Sequence, residues 1–586
     1  MCGIFGYVGK RSEAAQLTIE GLKRLEYRGY DSWGIAVKKN GRLVVDKHAG
    51  KIGGASTILP KSHFGLGHTR WATHGGVTDK NAHPHLDCTG TVAVVHNGIV
   101  ENYQELKQKL VKDHKFISET DTEVVAHLVE EYKKRYPFVE AVRRVFLDLR
   151  GLSAFLIADG ESDTLVAVKT GSPLVVGVGN GENVIGSDAY SILPITRNIC
   201  FMEDWRMVVI RKDNVELFDV RSGKKLPLKT KKIDWKEIVP AKGSFPYFML
   251  KEIHEQPRVL RNILINFDER IENFTASIQR AKRIYFVGCG SAHHAAMIGS
   301  YLFAKLANIE AIPVPGSEFI WKEKLLQKDS LTVFLSQSGE TIDVIEPLKG
   351  LKKRKLKTFA LVNVFGSTLY RLTDQKVWLE AGQEICVLST KAFTAKLAIF
   401  LLSAYATQGY LSKGKKLLFL AEEETTRLLT KPYYRKIERL IDILYRKEHM
   451  YVIGRGLSFP VGLETALKIK EISYIHVEGF AAGELKHGVI ALIEKGSPCI
   501  VFAPNDETYD AIISSAMEVK ARGGYIIGVS NKNNEVFDYF LDVADCGEAT
   551  IIPNSVIGQL LGYCAGTKKG LDPDQPRNLA KSVTVK

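Results

Sequence analysis

The sequence predicts a strand-rich α+β domain followed by two tandem α/β domains with open parallel sheets. Three observations carry this. Short β-rich runs separated by Gly, Asp and Asn turns fill residues 154–210. After residue 248 the pattern changes to apolar strands alternating with helices. That pattern then recurs: Ile284-Tyr285-Phe286-Val287 runs into Gly288-Cys289-Gly290, and Met450-Tyr451-Val452-Ile453 runs into Gly454-Arg455-Gly456.

In chain order, residues 2–9 read as a strand, Ala14–Leu25 as a helix, and 34–48 as further strand. The strand Val92-Ala93-Val94-Val95 ends in His96-Asn97-Gly98. Ser118–Asp121 resembles a capping box before an amphipathic helix. Pro227, Pro240, Gly243 and Pro246 mark a linker. Leu331–Leu335 and Phe359–Val362 are buried strands of the first α/β domain, Cys499–Phe502 and Ile526–Val529 of the second. The expected domains are therefore 2–221, a linker at 222–247, 248–414, a helical connector at 415–447, 448–569, and a tail at 570–586.

At 586 residues the chain exceeds what one core can organise. No apolar run reaches the ~18–20 residues that span a bilayer, and no secretory signal opens the chain, so a cytoplasmic protein without membrane contact is expected. The eight cysteines are dispersed and none forms a C-x-x-C pair, which argues against a disulfide framework, a zinc site or any other metal. The net charge of +14 is scattered and accompanies no nucleic-acid-binding module, so it reads as solvated surface.

Chemistry begins at Cys2. Removal of Met1 would give one residue both a thiol and a free α-amine, and the amine can serve as base for the thiol. Asn97-Gly98 can aim a side-chain amide and a backbone N–H at one point, as an oxyanion requires. Arg70 can hold a carboxylate bidentately, and Asp121 an ammonium. Singly, these fit structural ion pairs and a plain turn equally well. Jointly with Cys2 they provide what removal of an amide nitrogen from glutamine needs.

In the second half, G-x-G at 288–290 and 454–456 lacks the third glycine of a dinucleotide fingerprint, since His293 and Phe459 stand there. Ser336-Gln337-Ser338-Gly339-Glu340-Thr341 follows a buried strand and opens a helix, a metal-free phosphate cradle. Ser389-Thr390-Lys391 is a second donor-rich turn. Glu464, Lys468 and Glu471 fall within about 60° on one helix face. Their neighbours are apolar, so the charged stripe should line something; an exposed salt-bridged face is the alternative.

Met1-Cys2-Gly3-Ile4, Leu25–Ser32, His68–Gly75 and Val95–Gly98 resemble the glutaminase domain of the glutamine–fructose-6-phosphate aminotransferase (isomerizing) family, and the resemblance extends through both α/β domains to the tail. It implies an N-terminal-nucleophile hydrolase sandwich (αββα) followed by two sugar-isomerase (SIS) domains. It also implies roles: Cys2 as nucleophile, Asn97 and Gly98 for the oxyanion, and Arg70, Thr73, His74, Asp121, Arg28 and His83 for glutamine, with Trp71 gating an ammonia passage. In the SIS half it places the sugar phosphate on Ser291, Ser336, Gln337, Ser338, Thr341, Val387 and Ser389. Glu471 becomes the proton shuttle beside Glu464 and Lys468, His487 the ring-opening histidine, and Lys581 the imine-forming lysine. The substrates implied are L-glutamine and fructose 6-phosphate, with no cofactor, in a homodimer. Rival readings are an amidotransferase for another sugar phosphate, and a sugar-phosphate deaminase or sensor. The chain departs from the family pattern at Ser291-Ala292, where Thr-Ser is usual and one hydroxyl is lost.

Overall fold

β1 (Gly3–Gly9) is buried along its whole length because both of its faces are covered. Ile4 and Val8 point into one core, Phe5 and Tyr7 into another, as the two-residue repeat of a strand dictates. The computed structural model describes residues 2–233 and 242–584, so the linker expected at 222–247 falls partly outside the described residues. The chain forms two compact units, Met1–Val239 with Ala580–Lys586, and Pro240–Leu579.

The first unit contains α1 (Ala14–Lys23), β2 (Ser32–Lys39), β3 (Arg42–Ala49), β4 (Phe64–Arg70), β5 (His85–Leu86), β6 (Val92–Gly98), α2 (Tyr103–Leu110), α3 (Glu123–Lys133) and α4 (Phe138–Asp148). It continues through β7 (Ser153–Asp159), β8 (Thr164–Thr170), β9 (Val175–Val178), β10 (Glu182–Gly186), α5 (Ala189–Ile192), β11 (Asn198–Phe201), β12 (Arg206–Ile210), β13 (Val215–Asp219), β14 (Lys225–Leu226) and β15 (Lys231–Lys232). The strands make two sheets, ordered β15-β11-β9-β10-β1-β4-β2-β3 and β14-β13-β12-β8-β7-β6-β5. Ile4 and Val8 of one sheet meet Ala93, Val95 and Leu156 of the other. Ile19 and Leu22 of α1 cover the outer face of the first sheet. Val125 and Val129 of α3, with Val142 of α4, cover the outer face of the second. This is the expected αββα sandwich.

The capping box expected at Ser118–Asp121 does not form. α3 starts at Glu123 behind Thr122, which makes no side-chain cap. The buried Glu123 carboxylate instead accepts from Ile117 N (2.7 Å), Ser118 N (2.7 Å) and Ser118 Oγ (2.7 Å). A buried carboxylate requires several donors, and the preceding turn supplies them.

The second unit opens with α6 (Phe248–His254), α7 (Gln256–Asn266) and α8 (Asp268–Gln279). Its first sheet alternates β16 (Arg283–Gly288), α9 (Ser291–Ala307), β17 (Ala311–Pro315), α10 (Ile320–Glu323), β18 (Ser330–Ser336), α11 (Ile342–Lys353), β19 (Lys357–Val362), α12 (Thr368–Leu372) and β20 (Gln375–Trp378). Then come α13 (Lys391–Thr407), α14 (Leu411–Leu428) and α15 (Lys431–Leu444). The connector is thus two helices; Pro432, which has no N–H to donate, opens the second. The second sheet follows with β21 (His449–Gly454), α16 (Ser458–Ser473), β22 (His476–Ala481), β23 (Pro498–Ala503), α17 (Tyr509–Lys520), β24 (Tyr525–Ser530) and β25 (Tyr539–Asp542), and α18 (Ile551–Lys568) closes the unit.

Both sheets are parallel and share one order, β17-β16-β18-β19-β20 and β22-β21-β23-β24-β25. Gly288 and Gly454 each end the first strand of their sheet, so the sequence recurrence marks a repeated fold. α13 and α18 are buried on nearly all sides, which accounts for their near-uniform apolarity. No helix among the described residues is long and apolar enough to cross a membrane. The tail is anchored by Asp574, whose carboxylate accepts from the first N–H groups of α6, Phe248 N (2.8 Å) and Met249 N (2.7 Å).

Candidate functional site

Cys2 precedes β1 at one end of the first sheet. Its Sγ accepts from Trp71 N (3.3 Å) and lies 3.6 Å from Trp71 O. β1 pairs with β4, Gly3 opposite Thr69, and this register carries residues 70–71 to the thiol. A Cβ on Gly3 would lie 2.7 Å from both Leu25 Cβ and Thr69 Oγ1, so only glycine fits that approach. Burial pushes the Cys2 thiol up; the Trp71 N–H and the Arg70 guanidinium oppose this.

Cys2 lines a pocket of about 420 Å³, counted to its open mouth. Arg70, Trp71, Thr73, His74, His83, Asn97, Gly98 and Asp121 share it, so this expected set converges. Asn97 comes from the end of β6, and its Nδ2 donates to Cys2 O (3.1 Å) and Ser187 Oγ (3.0 Å). Gly98 has φ 142, and a Cβ there would lie 2.4 Å from Leu152 O. Asp121 Oδ2 accepts from Val100 N (2.7 Å). The Arg70 guanidinium donates to the carbonyls of His74, Gly75 (3.1 Å) and Gly76 (3.1 Å), so a substrate carboxylate would have to exchange with these bonds. Arg28 is buried at the pocket's edge, donating from Nε to Cys2 O (3.3 Å) and pairing with Asp188 (3.8 Å).

Two histidines to which sequence reasoning gave no role, His68 and His96, support this wall. His68 stacks on His83 with ring centroids 4.3 Å apart. His96 hydrogen-bonds Thr122 Oγ1 (2.9 Å) and Ser153 Oγ (3.1 Å). Burial holds His68 down to about 3 and His96 to about 4, so both are neutral near pH 7. Thr584 also lines the pocket and lies 3.4 Å from Ser172 Oγ. The distance of Thr584 from Cys2 in the chain hid it; the patterned C-terminal run was the only available signal.

In the second unit, the Ser336–Thr341 turn joins the end of β18 to α11. Ser336 Oγ accepts from Gly339 N (2.9 Å) and lies 3.2 Å from Thr341 Oγ1. Ser338 Oγ accepts from Glu340 N (3.2 Å). Thr341, which precedes α11, makes no side-chain cap, and the first N–H groups of a helix suit an anion. Gln337 Oε1, an acceptor, is buried without a hydrogen bond. Ser291 opens α9. Val387 is buried, its N–H donating to Asp574 O (3.0 Å), and Ser389 is half-buried. The donor-rich turn after Ser389 is already engaged: Thr390 N and Ala392 N donate to Glu384, and Lys391 Nζ pairs with Glu255 at 2.6 Å.

Glu464, Lys468 and Glu471 lie on α16 and do face inward. Glu464 and Lys468 are each 1% exposed, so the solvated-face alternative fails. Lys468 Nζ contacts Glu471 Oε2 and lies 3.5 Å from Glu464 Oε1, while His294 Nδ1 sits 2.8 Å from Glu464 Oε2. Burial favours the neutral acid at Glu464, but Lys468 and His294 outweigh it and hold the carboxyl below its usual range. His487 is exposed on the short helix Ala482–His487 and joins none of these hydrogen bonds. Lys581 is half-buried in the segment that packs with the first unit.

Residues 277–406 and 443–542 match the SIS domain family, and residues 68–194 match the glutamine amidotransferase domain family. The chain is 41% identical to the glutamine–fructose-6-phosphate aminotransferase [isomerizing] of Caldanaerobacter subterraneus subsp. tengcongensis, over 100% of both chains. It is equally 41% identical to the protein of that name from Thermococcus kodakarensis, again over 100% of both. Among solved structures, the C-terminal domain of glucosamine-fructose-6-phosphate aminotransferase from Francisella tularensis is 34% identical, with a TM-score of 0.51, covering 57% of this chain and 100% of that one. Tagatose-6-phosphate ketose/aldose isomerase from Escherichia coli, 15% identical with a TM-score of 0.51, covers 59% of this chain and 98% of that one; the likeness is one of fold.

Proposed function

The chain belongs to the glutamine–fructose-6-phosphate aminotransferase (isomerizing) family, and from that premise we propose how its residues divide the work. The chain converts glutamine and fructose 6-phosphate to glutamate and glucosamine 6-phosphate. One observation carries the reading of the first half: Cys2, Arg70, Asn97, Gly98 and Asp121 line one pocket.

Once Met1 is removed, the Cys2 α-amine takes the thiol proton and the thiolate attacks the glutamine carboxamide carbon. Asn97 and Gly98 stabilise the oxyanion, which requires the Asn97 amide to give up a present partner. Collapse breaks the C–N bond; ammonia leaves with the proton, and water hydrolyses the thioester to glutamate. Arg70 and Asp121 grip the α-carboxylate and α-ammonium, with Thr73, His74, Arg28 and His83 shaping the pocket and Trp71 screening the released ammonia from bulk water.

In the SIS half, the Ser336–Thr341 turn holds the phosphate, with Ser291, Val387 and Ser389 placing the sugar. His487 opens the ring, and the Lys581 amine condenses with the C2 carbonyl, releasing water. Ammonia displaces Lys581 from that imine. Glu471, held by Lys468, takes a proton from C1 and returns it to C2, while the C1 hydroxyl proton passes to the imine nitrogen, which leaves an amine on C2 and an aldehyde at C1. The domain boundaries at 221, 247, 414, 447 and 569 follow this division. The working form is a cytoplasmic homodimer.

The experiment mixes purified protein with glutamine and fructose 6-phosphate and measures glutamate and amino sugar. Cys2→Ala should abolish both products. Lys581→Ala should stop amino-sugar formation while glutamate release continues. Glutamine-dependent amino sugar from Cys2→Ala would end the proposal.

A further inference from the structure

Away from the pocket, three segments of the first unit bring four metal-ligand side chains together: Cys88 from the β5–β6 turn, His114 after α2, and His127 with Glu130 on α3. One ligand atom from each lies within 4.8 Å of all the others. We propose that Cys88, His114, His127 and Glu130 bind a structural zinc ion.

The spacing fits. Tetrahedral zinc with Zn–S of about 2.3 Å and Zn–N or Zn–O of about 2.0–2.1 Å separates sulfur from nitrogen by about 3.5 Å, and nitrogen from oxygen by about 3.4 Å. Cys88 Sγ lies 3.5 Å from His114 Nδ1 and 3.6 Å from His127 Nδ1. Glu130 Oε2 lies 3.1 Å from His114 Nδ1 and 3.5 Å from His127 Nδ1. Four of the six ligand–ligand edges thus lie near tetrahedral length, and the other two lie within 4.8 Å.

The outer contacts fit as well. His114 Nε2 faces Glu131 at 2.8 Å, and His127 Nε2 faces Glu123 at 3.7 Å. With Nδ1 on the metal, each ring carries its proton on Nε2; that of His114 reaches Glu131, whereas Glu123 stands beyond hydrogen-bond length from His127 Nε2. Both rings are only 2% and 1% exposed and lie among carboxylates. A thiolate and one carboxylate neutralise Zn²⁺, and four protein ligands leave no open position, the mark of a structural site. The absence of a C-x-x-C pair had argued against zinc; here the ligands come from separate segments, which spacing rules do not detect. The ion would tie α3, whose start follows Asp121, to the β5–β6 turn.

The test uses the full chain and zinc or cobalt salts alone. Purified protein desalted into metal-free buffer should retain about one zinc per chain, and Cys88→Ser or His127→Ala should lower this at least about tenfold. Chelator-stripped protein given cobalt chloride should show a near-ultraviolet thiolate-to-cobalt band that persists in Cys2→Ala and disappears in Cys88→Ser. If Cys88→Ser misfolds by circular dichroism, His114→Gln supplies the second variant, with the same loss of metal expected. Absence of zinc with no uptake by the stripped protein, or a cobalt band that survives Cys88→Ser, would overturn the assignment.

Discussion

His68 Nε2 lies 3.1 Å from Asn97 Oδ1 and 2.9 Å from the His96 carbonyl. Both partners accept, so the proton sits on Nε2 and is shared between them. That fixes the Asn97 amide with its NH₂ toward Cys2, and a buried, neutral ring thereby sets the donor proposed for the oxyanion.

Removing that constraint should cost turnover more than binding. His68→Ala is expected to lower glutaminase kcat by about 10–100-fold with little change in KM for glutamine, since one oxyanion donor is worth about that much or more. His68→Gln, which can still donate, should recover part of the loss. Steady-state glutamate release resolves the two parameters; a rise in KM at constant kcat would assign His68 to the substrate grip instead.

The same burial predicts acid sensitivity. The folded-state values of His68 and His96, about 3 and about 4, lie below the ordinary histidine value of about 6.5. Below pH 6.5 the unfolded chain therefore binds more protons than the folded one. Each histidine contributes stability that is complete above pH 6.5 and is lost as the pH falls toward its folded value. At pH 5 the loss is on the order of 2 kcal/mol per residue. Thermal midpoints between pH 7.5 and 5 should fall, and His96→Gln should flatten that fall.

The α16 triad gives a third expectation. Lys468 is the cation between two carboxylates, and nearly all of it is buried. Lys468→Met should destabilise the chain by about 3–5 kcal/mol, because it leaves a buried charge without compensation. Adding Glu464→Gln should restore part of this, and denaturant titration of the single and double variants measures the coupling. Glu471→Gln should spare glutamate release and stop amino-sugar formation.

The helical spacing of Glu464, Lys468 and Glu471 specified one face of α16, and the burial of Glu464 and Lys468 agreed. That Cys2, Arg70, Asn97 and Asp121 would share one pocket was legible because each residue type suits a separate task in amide chemistry. The partners of Arg70 were not, since three backbone carbonyls leave no trace in residue type. Nor was the break between α14 and α15 placed, although Pro432 announces it. His68, Thr584 and the Cys88 cluster depend on contacts between segments far apart in sequence, which no local pattern encodes.

Ala292 offers the narrowest test of the sugar site. It follows Ser291 in the first turn of α9 and is half-buried; the family resemblance leads one to expect serine there. Its methyl group neither donates nor accepts, so the proposed sugar site would have one fewer donor. Ala292→Ser should lower KM for fructose 6-phosphate by up to about fivefold, the equivalent of one net hydrogen bond of about 1 kcal/mol. kcat should stay constant, because the hydroxyl would bind ground and transition states alike. Glutamate release in the absence of sugar should not change, since α9 belongs to the second unit and the thiol to the first. An unchanged KM would mean that position 292 does not face the sugar, and that the lost hydroxyl has no part in substrate preference.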